Sequence, residues 1–484
     1  MNRKRLEDIK TITILILVFA SLIQVGILWE IQNHWFPISF LSPVFNGASK
    51  PKPEDVARID YFNPERIIIA EGIESNFWAV DNESGDYIRL WNEAKAYLKN
   101  ISERRGLIGQ PQIIAADRNA LAEKWSALME KTGIIFEFDY TLESDLLMWF
   151  LGRETEDVTE PVGMKRMMIA LRDDINSPVN TIYIQTDDTI TRYNINIDEK
   201  QLPKEYFFNL IDKIDSSGIY KRYKSVAWMN YNKYFNKDMI ISFGGKKSSI
   251  RNFKRVSSFV PKLITAKKTE DIAAILLGGE KASYDYAEAF GNLLEFKNLN
   301  NLYRLRMDGF LEYKYLPLVN ESNKGTASEA FQRAIEFIER VKPLVSGTTL
   351  NLSGINKNVN GESYEFLFDY SVNGLKVYYN YEPGSNNRKK NNNALVIRAN
   401  GNRVTYCSWL LRQFDSTEEE SFLTYQEDIL DRLINKYNQI SDSMLIKSID
   451  ISYMLKNGSP EMELIWLINS TEGEKYILEM EGVK

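Results

Sequence analysis

The chain is nearly devoid of the two residue types most used for nucleophilic and metal chemistry: 484 residues include one cysteine, Cys407, and one histidine, His34. A single thiol closes no intramolecular disulfide, so stability has to come from packing. A Cys/His zinc site, a Ser-His-Asp triad and a Cys-His dyad each need another His or several Cys, and all are excluded within one chain. Cys407 falls in the apolar alternation Val404, Tyr406, Trp409, which reads as a small core position and not as a reactive thiol. Excess positive charge is missing too: the formal net charge is -6, which argues against nucleic acid as a partner. With 44% hydrophobic and 26% charged residues, the chain is far from the composition of a disordered one.

What is present begins with a long apolar run. Thr11 to Trp29 holds 19 residues without a charge, and at about 1.5 Å rise per residue it covers roughly 29 Å, close to a hydrocarbon core of about 30 Å. Arg3, Lys4, Arg5 and Lys10 precede it, partly offset by Glu7 and Asp8, and no Lys or Arg follows until Lys50. The positive-inside rule then puts residues 1–10 in the cytoplasm, a transmembrane helix at 11–29, a membrane-proximal linker at 30–54 and the bulk of the chain on the far side of the cell membrane. The competing reading is a cleaved signal, whose apolar region is usually only about 7 to 15 residues. The longer run here, continuing into Trp29, Trp35 and Phe36, favours a retained single-pass anchor. Thr13, Ala20, Ser21 and Gln24 fall near one side of this helix. They form a docking stripe for another membrane helix, or Gln24 sits shallow enough to snorkel and the small residues are incidental.

The rest reads as an α+β ectodomain of several domains, with antiparallel sheets packed against helices. In a first region, 55–223, Asp117 is placed to cap a helix over Ala120, Leu121, Trp125 and Leu128. Strands follow at Ile134–Tyr140, Met167–Leu171, Thr181–Gln185 and Thr191–Ile197, and a helix at Lys204–Ile214 closes the region. A second region, 224–321, is expected to hold helices at Thr269–Leu277 and Tyr284–Leu294 and a hairpin turning at Asp308 and Gly309. The third, 322–484, opens with a helix over Ser328–Val341. It continues with hairpins turning at Asn373–Gly374 and Asn400–Gly401. Thr417 with Glu420 reads as a capping box for a helix burying Phe422, Tyr425, Ile429, Leu430, Leu433, Ile434 and Tyr437. Strands Ile449–Met454, Glu463–Ile468 and Lys475–Met480 end the chain.

Chemistry-bearing motifs are few. The segment Phe243–Ser249 (FGGKKSS) fails the P-loop spacing and reads as a turn. Paired carboxylates for glycoside hydrolysis need no His, but nothing specific points to them among 66 Asp and Glu. From Lys246 to Lys268 there is no acidic residue, so Lys246, Lys247, Arg251, Lys254 and Arg255 form a candidate contact for an anionic partner. The blander reading, a solvated strand pair neutralised by its neighbours, is favoured. No cofactor or metal is expected.

The basic start into one span (RLEDIKTITILILVFASLIQVGILW), the DGFLEYKYLP hairpin and the ending in which TEEESFLTYQEDILDRL precedes IKSIDISYMLKNG and MELIWLI resemble the YycH family of Gram-positive bacteria. The last block also resembles the companion YycI family. The resemblance implies a single-pass protein without chemistry of its own that regulates a WalK/YycG-type sensor histidine kinase controlling cell-wall homeostasis, alongside a YycI-like partner. The alternative is an anchored ectodomain that binds cell-wall polymer or another ligand outside the membrane.

Overall fold

Three consecutive isoleucines, Ile67 to Ile69, can all be buried only in a strand covered on both faces, and they are. The computed structural model describes residues 61–483 except 73–75, 81, 83, 153–161, 172–178, 197–208, 211–212, 214–220, 227–233, 243–249, 279–284, 291, 299, 318–324, 359–362, 381–391, 425–428, 437–444 and 457–458. The span expected at Thr11–Trp29, with Thr13, Ala20, Ser21 and Gln24, lies outside the described residues, as do Lys246, Lys247 and most of the helix expected at Lys204–Ile214. No helix among the described residues is long and apolar enough to cross a membrane.

The first sheet is built from β1 (Arg66–Ala70), β2 (Asn76–Ala79), β3 (Gln112–Ala115), β4 (Gly133–Leu142), β5 (Met164–Ala170), β6 (Val179–Gln185), β7 (Ile190–Asn196), β8 (Lys221–Ser225) and β9 (Ile240–Ser242), in the order β3-β7-β6-β5-β4-β1-β2-β8-β9. Helix α1 (Gly85–Ser102), unforeseen in the sequence, starts where Ser84 accepts the Tyr87 N–H and buries Tyr87, Leu90, Trp91, Ala94, Leu98 and Ile101. Helix α2 (Arg118–Met129) begins just after Asp117, as expected, and covers the other face with Leu121, Trp125 and Leu128 against Ile68, Phe77 and Ile135. A third helix, α3 (Ser144–Phe150), carries Trp149 and Phe150 toward the second sheet.

After β10 (Ile250–Phe259), two short helices follow, α4 (Lys262–Thr265) and α5 (Thr269–Leu277). The helix expected at Tyr284–Leu294 is instead the strand pair β11 (Asp285–Phe290) and β12 (Leu293–Asn298). Alanine and glutamate favour a helix locally, but six cross-strand pairs between β12 and β13 (Asn301–Arg306) override that preference. Strand β13 turns into β14 (Phe310–Tyr315) at Gly309, whose φ of 86° and close approach to the Leu411 carbonyl leave no room for a side chain.

Helix α6 (Ala327–Val341) is held by a full capping box of Thr326 and Glu329. It packs its apolar face on a sheet that continues through β15 (Thr349–Lys357), β16 (Tyr364–Val372), β17 (Leu375–Asn380), β18 (Leu395–Ala399) and β19 (Val404–Leu410). Asn373 and Gly374, both at positive φ, make the expected two-residue turn.

The second expected helix, capped by Thr417 and Glu420, is corrected: Gln413–Leu423 is a strand, β20, paired antiparallel with β10. Of the expected helix, Ile429–Lys436 is helical among the described residues, as α7, and Tyr425 and Tyr437 lie outside them. Beyond it β21 (Ile446–Lys456), β22 (Glu463–Ser470) and β23 (Lys475–Glu479) complete a twelve-stranded sheet, with β17 running parallel to β21. Arg432 and Lys436 of α7 donate to the outward carbonyls of Glu479 and Ile477, which blunts the β23 edge.

Strand β14 pairs with β19, so the regions 224–321 and 322–484 share this sheet. One apolar core runs through both sheets, and residues 57–484 cluster as one unit. At the seam Phe331 of α6 meets Trp149 and Phe150 at 5.6 and 5.1 Å between ring centroids. The Asp145 carboxylate accepts the Ser328 N–H at the first turn of α6, where the helix dipole favours an anion.

Candidate functional site

Two charged constellations stand out among the described residues. The first is the ribbon of β10 and β20. Of the basic residues singled out in the sequence, Arg251, Lys254 and Arg255 lie on β10, opposite a strand that carries Glu418, Glu419 and Glu420. Lys254 faces Glu419 in the register, and Arg255 reaches Glu420 at 3.5 Å and Glu461 at 3.6 Å. These pairs are largely exposed, so each contributes at most about 1 kcal/mol. They draw the ribbon together and reduce its net positive field. Phe253, Phe414 and Phe422 anchor the ribbon to the core.

The second constellation, not foreseen in the sequence, lies where the first sheet meets the second. Strand β4 reads GIIFEFDYTL, and its charges Glu137 and Asp139 share one face by the two-residue period. Glu137 accepts two hydrogen bonds from Arg66, at 3.0 and 2.7 Å, and lies 3.3 Å from Arg166. Arg166 also bonds Asp238 and sits over the Trp125 ring, 5.8 Å from its centroid. Burial alone would raise the Glu137 carboxyl, but Arg66 and Arg166 outweigh it and hold the group below the usual carboxylate range.

Toward the end of β4 the arrangement becomes wetter. Lys376 of β17 places its ammonium 3.2 Å from Asp139 and 3.0 Å from Asp369 of β16, so one cation joins the two sheets. Against the cost of burial, Asp369, Asp139 and Glu65 raise the Lys376 ammonium well above its normal value. Asp139 keeps 43% of its side-chain surface in contact with water, and Glu65 is exposed as well. Burial works against Asp139, but Lys376 and Lys447 hold it below the usual range. Glu65 is the contrary case: the Asp139 charge first, then burial, push its carboxyl up to about 8, and Lys376 and Arg66 offset this only in part. Because the two carboxyls interact strongly, the proton belongs to the pair.

Cys407 is fully buried in β19, and burial pushes its thiol up. No cluster of His, Cys, Asp and Glu among the described residues has the grouping a metal ion requires.

No family model matches the sequence, and no curated protein does. Among solved structures, the crystal structure of YycH from Bacillus subtilis superposes with a TM-score of 0.52 at 10% sequence identity, covering 89% of this chain and 97% of that one. At that identity the likeness is one of architecture, and it runs through nearly the whole of both molecules: the chain has the YycH fold.

Proposed function

We propose that this protein is a non-enzymatic, membrane-anchored regulator of a two-component sensor histidine kinase. The single observation that carries the reading is the end-to-end likeness to YycH, 97% of whose chain is covered. The proposal adds that Thr11–Trp29 remains in the bilayer, that the described residues lie on the outer side, and that a YycI-like protein joins the assembly. Regulation of this kind needs no chemistry. A coupling of about 1 to 3 kcal/mol changes a signalling equilibrium 5- to 150-fold, and interhelical contacts of the Gln24 type contribute roughly 0.6 to 2 kcal/mol each. The sequence composition supports a non-catalytic role, since His34 is the only imidazole.

The test is co-purification of the tagged full-length chain from detergent-solubilised membranes. Recovery of a sensor histidine kinase, together with a YycI-like protein, is the expected outcome. Recovery of neither, with the tagged chain itself abundant in the eluate, overturns the proposal.

A further inference from the structure

We propose that Arg192, Lys131 and the Tyr183 hydroxyl form a binding site for a phosphate-type oxyanion, on the face of the first sheet covered by α2 and at the point where that helix ends. The site is a property of the fold and does not depend on the proposed regulatory role.

Strands β3, β7 and β6 make one edge of the first sheet. Gln112 lies opposite Arg192, and Arg192 opposite Tyr183, so the three side chains share one face. It is the α2 face, since Tyr183 and Ile190 pack with Leu121, Trp125 and Leu128. Helix α2 stops at Met129. Just past it the Lys131 ammonium donates to the Tyr183 hydroxyl at 2.9 Å and lies 5.0 Å from the ring centroid. Tyr183 is itself only 4% exposed, which fixes the hydroxyl. Directly opposed residues have Cβ atoms about 4.5 to 5.5 Å apart, so the Arg192 guanidinium stands beside the ring that positions Lys131.

These two cations have no anion. None of the three strands, QIIA, VNTIYIQ and ITRYNIN, contains an acidic residue. Asp187 in the β6–β7 turn is taken by Lys165 at 2.7 Å, and the Glu71 carboxylate accepts from Asn76. Glu130 is exposed and makes no ion pair with Lys131. Arg192 is half-buried, and its Nε is sealed from water without an acceptor among the described residues. An arginine that merely reaches out to solvent keeps its nitrogens hydrated; a buried donor left without an acceptor is the exception in folded proteins. The neighbouring pair on the same face, Thr181 and Asn194, bond each other and bring no charge. A planar fork, a mobile point charge and a hydroxyl together suit a tetrahedral anion with several acceptor oxygens better than a single carboxylate.

The test is calorimetric titration of the full-length chain in neutral detergent at low salt, with inorganic phosphate as the probe and acetate as the control. Saturable phosphate binding is expected, weakened roughly tenfold or more by Arg192→Met or by Lys131→Met. Phosphate should also raise the melting temperature of the parent chain but not of Arg192→Met. Lys131 is exposed, so its variant decides the matter if the arginine variant does not fold. Vesicles of phosphatidylglycerol form the second arm: binding there but not to free phosphate, lost in both variants, assigns the phosphate to a lipid headgroup. No binding in either arm, binding unaltered by both substitutions, or acetate bound as tightly as phosphate overturns the proposal.

Discussion

Arg166 shows how much one side chain can depend on others remote in sequence. It satisfies Asp238, shares Glu137 with Arg66 and covers Trp125. Replacing it with Met leaves Asp238 buried and unpaired, and such losses typically cost about 3 to 5 kcal/mol. Urea unfolding of Arg166→Met should show a deficit of that order; a deficit below about 1 kcal/mol would mean the network is not holding the first sheet. Glu65 makes a prediction of opposite character. In the folded chain the neighbouring Asp139 charge, then burial, raise its carboxyl to about 8, so the coupled pair holds a proton that unfolded Glu65 loses near its ordinary value of 4.5. Its contribution is therefore complete below pH 4.5 and declines as pH rises toward and through 8. Melting temperatures measured from pH 5 to 9 should fall less steeply in Glu65→Gln than in the parent chain. At this scale the sequence was informative about Cys407, whose apolar neighbours marked a core position. It displayed Glu137 and Asp139 in an apolar strand without revealing their roles, because their partners Arg66 and Lys376 lie 71 and 237 residues away.

Two segments with the same local signal took different structures. Thr326 and Glu329 form a capping box on α6, while Thr417 and Glu420, with identical spacing, lie in β20. The difference is tertiary. Strand β10 offers Lys254 and Arg255 to the acidic run, and its ladder satisfies a backbone that a helix would have satisfied internally. Alanine substitutions separate the two: Thr326→Ala should cost about 1 kcal/mol, the usual loss of a cap. Thr417→Ala should stay within about 0.5 kcal/mol, as an exposed strand position does. Equal losses at both sites would contradict the strand assignment. Elements with strong periodicity or turn chemistry, such as α6 and the turns at Gly309 and Asn373–Gly374, were legible. The strand pair at 285–298 was not, since its partner β13 decides it.

For the whole molecule, the shared core across both sheets predicts that they unfold together. Cys407, with no exposed surface, provides a probe of this. Its labelling by a thiol reagent should track global unfolding measured by fluorescence, and early labelling would reveal a second sheet that opens by itself. The proposed tether makes a separate prediction. Exchanging Thr11–Trp29 for an unrelated apolar helix of equal length should weaken kinase regulation while leaving the melting of the described region unchanged; unaltered signalling would remove the helix contact from the proposal.

The pairing of β10 with β20 also constrains the order of biosynthesis. Arg255 and its neighbour Thr417 are separated by 162 residues, which a ribosome adding about 5 to 20 residues per second needs roughly 8 to 30 s to make. For that interval the early-made basic strand has no mate. Nascent chains therefore carry an adhesive ribbon half, and a chaperone or the local surroundings must keep it from pairing elsewhere until its acidic counterpart emerges.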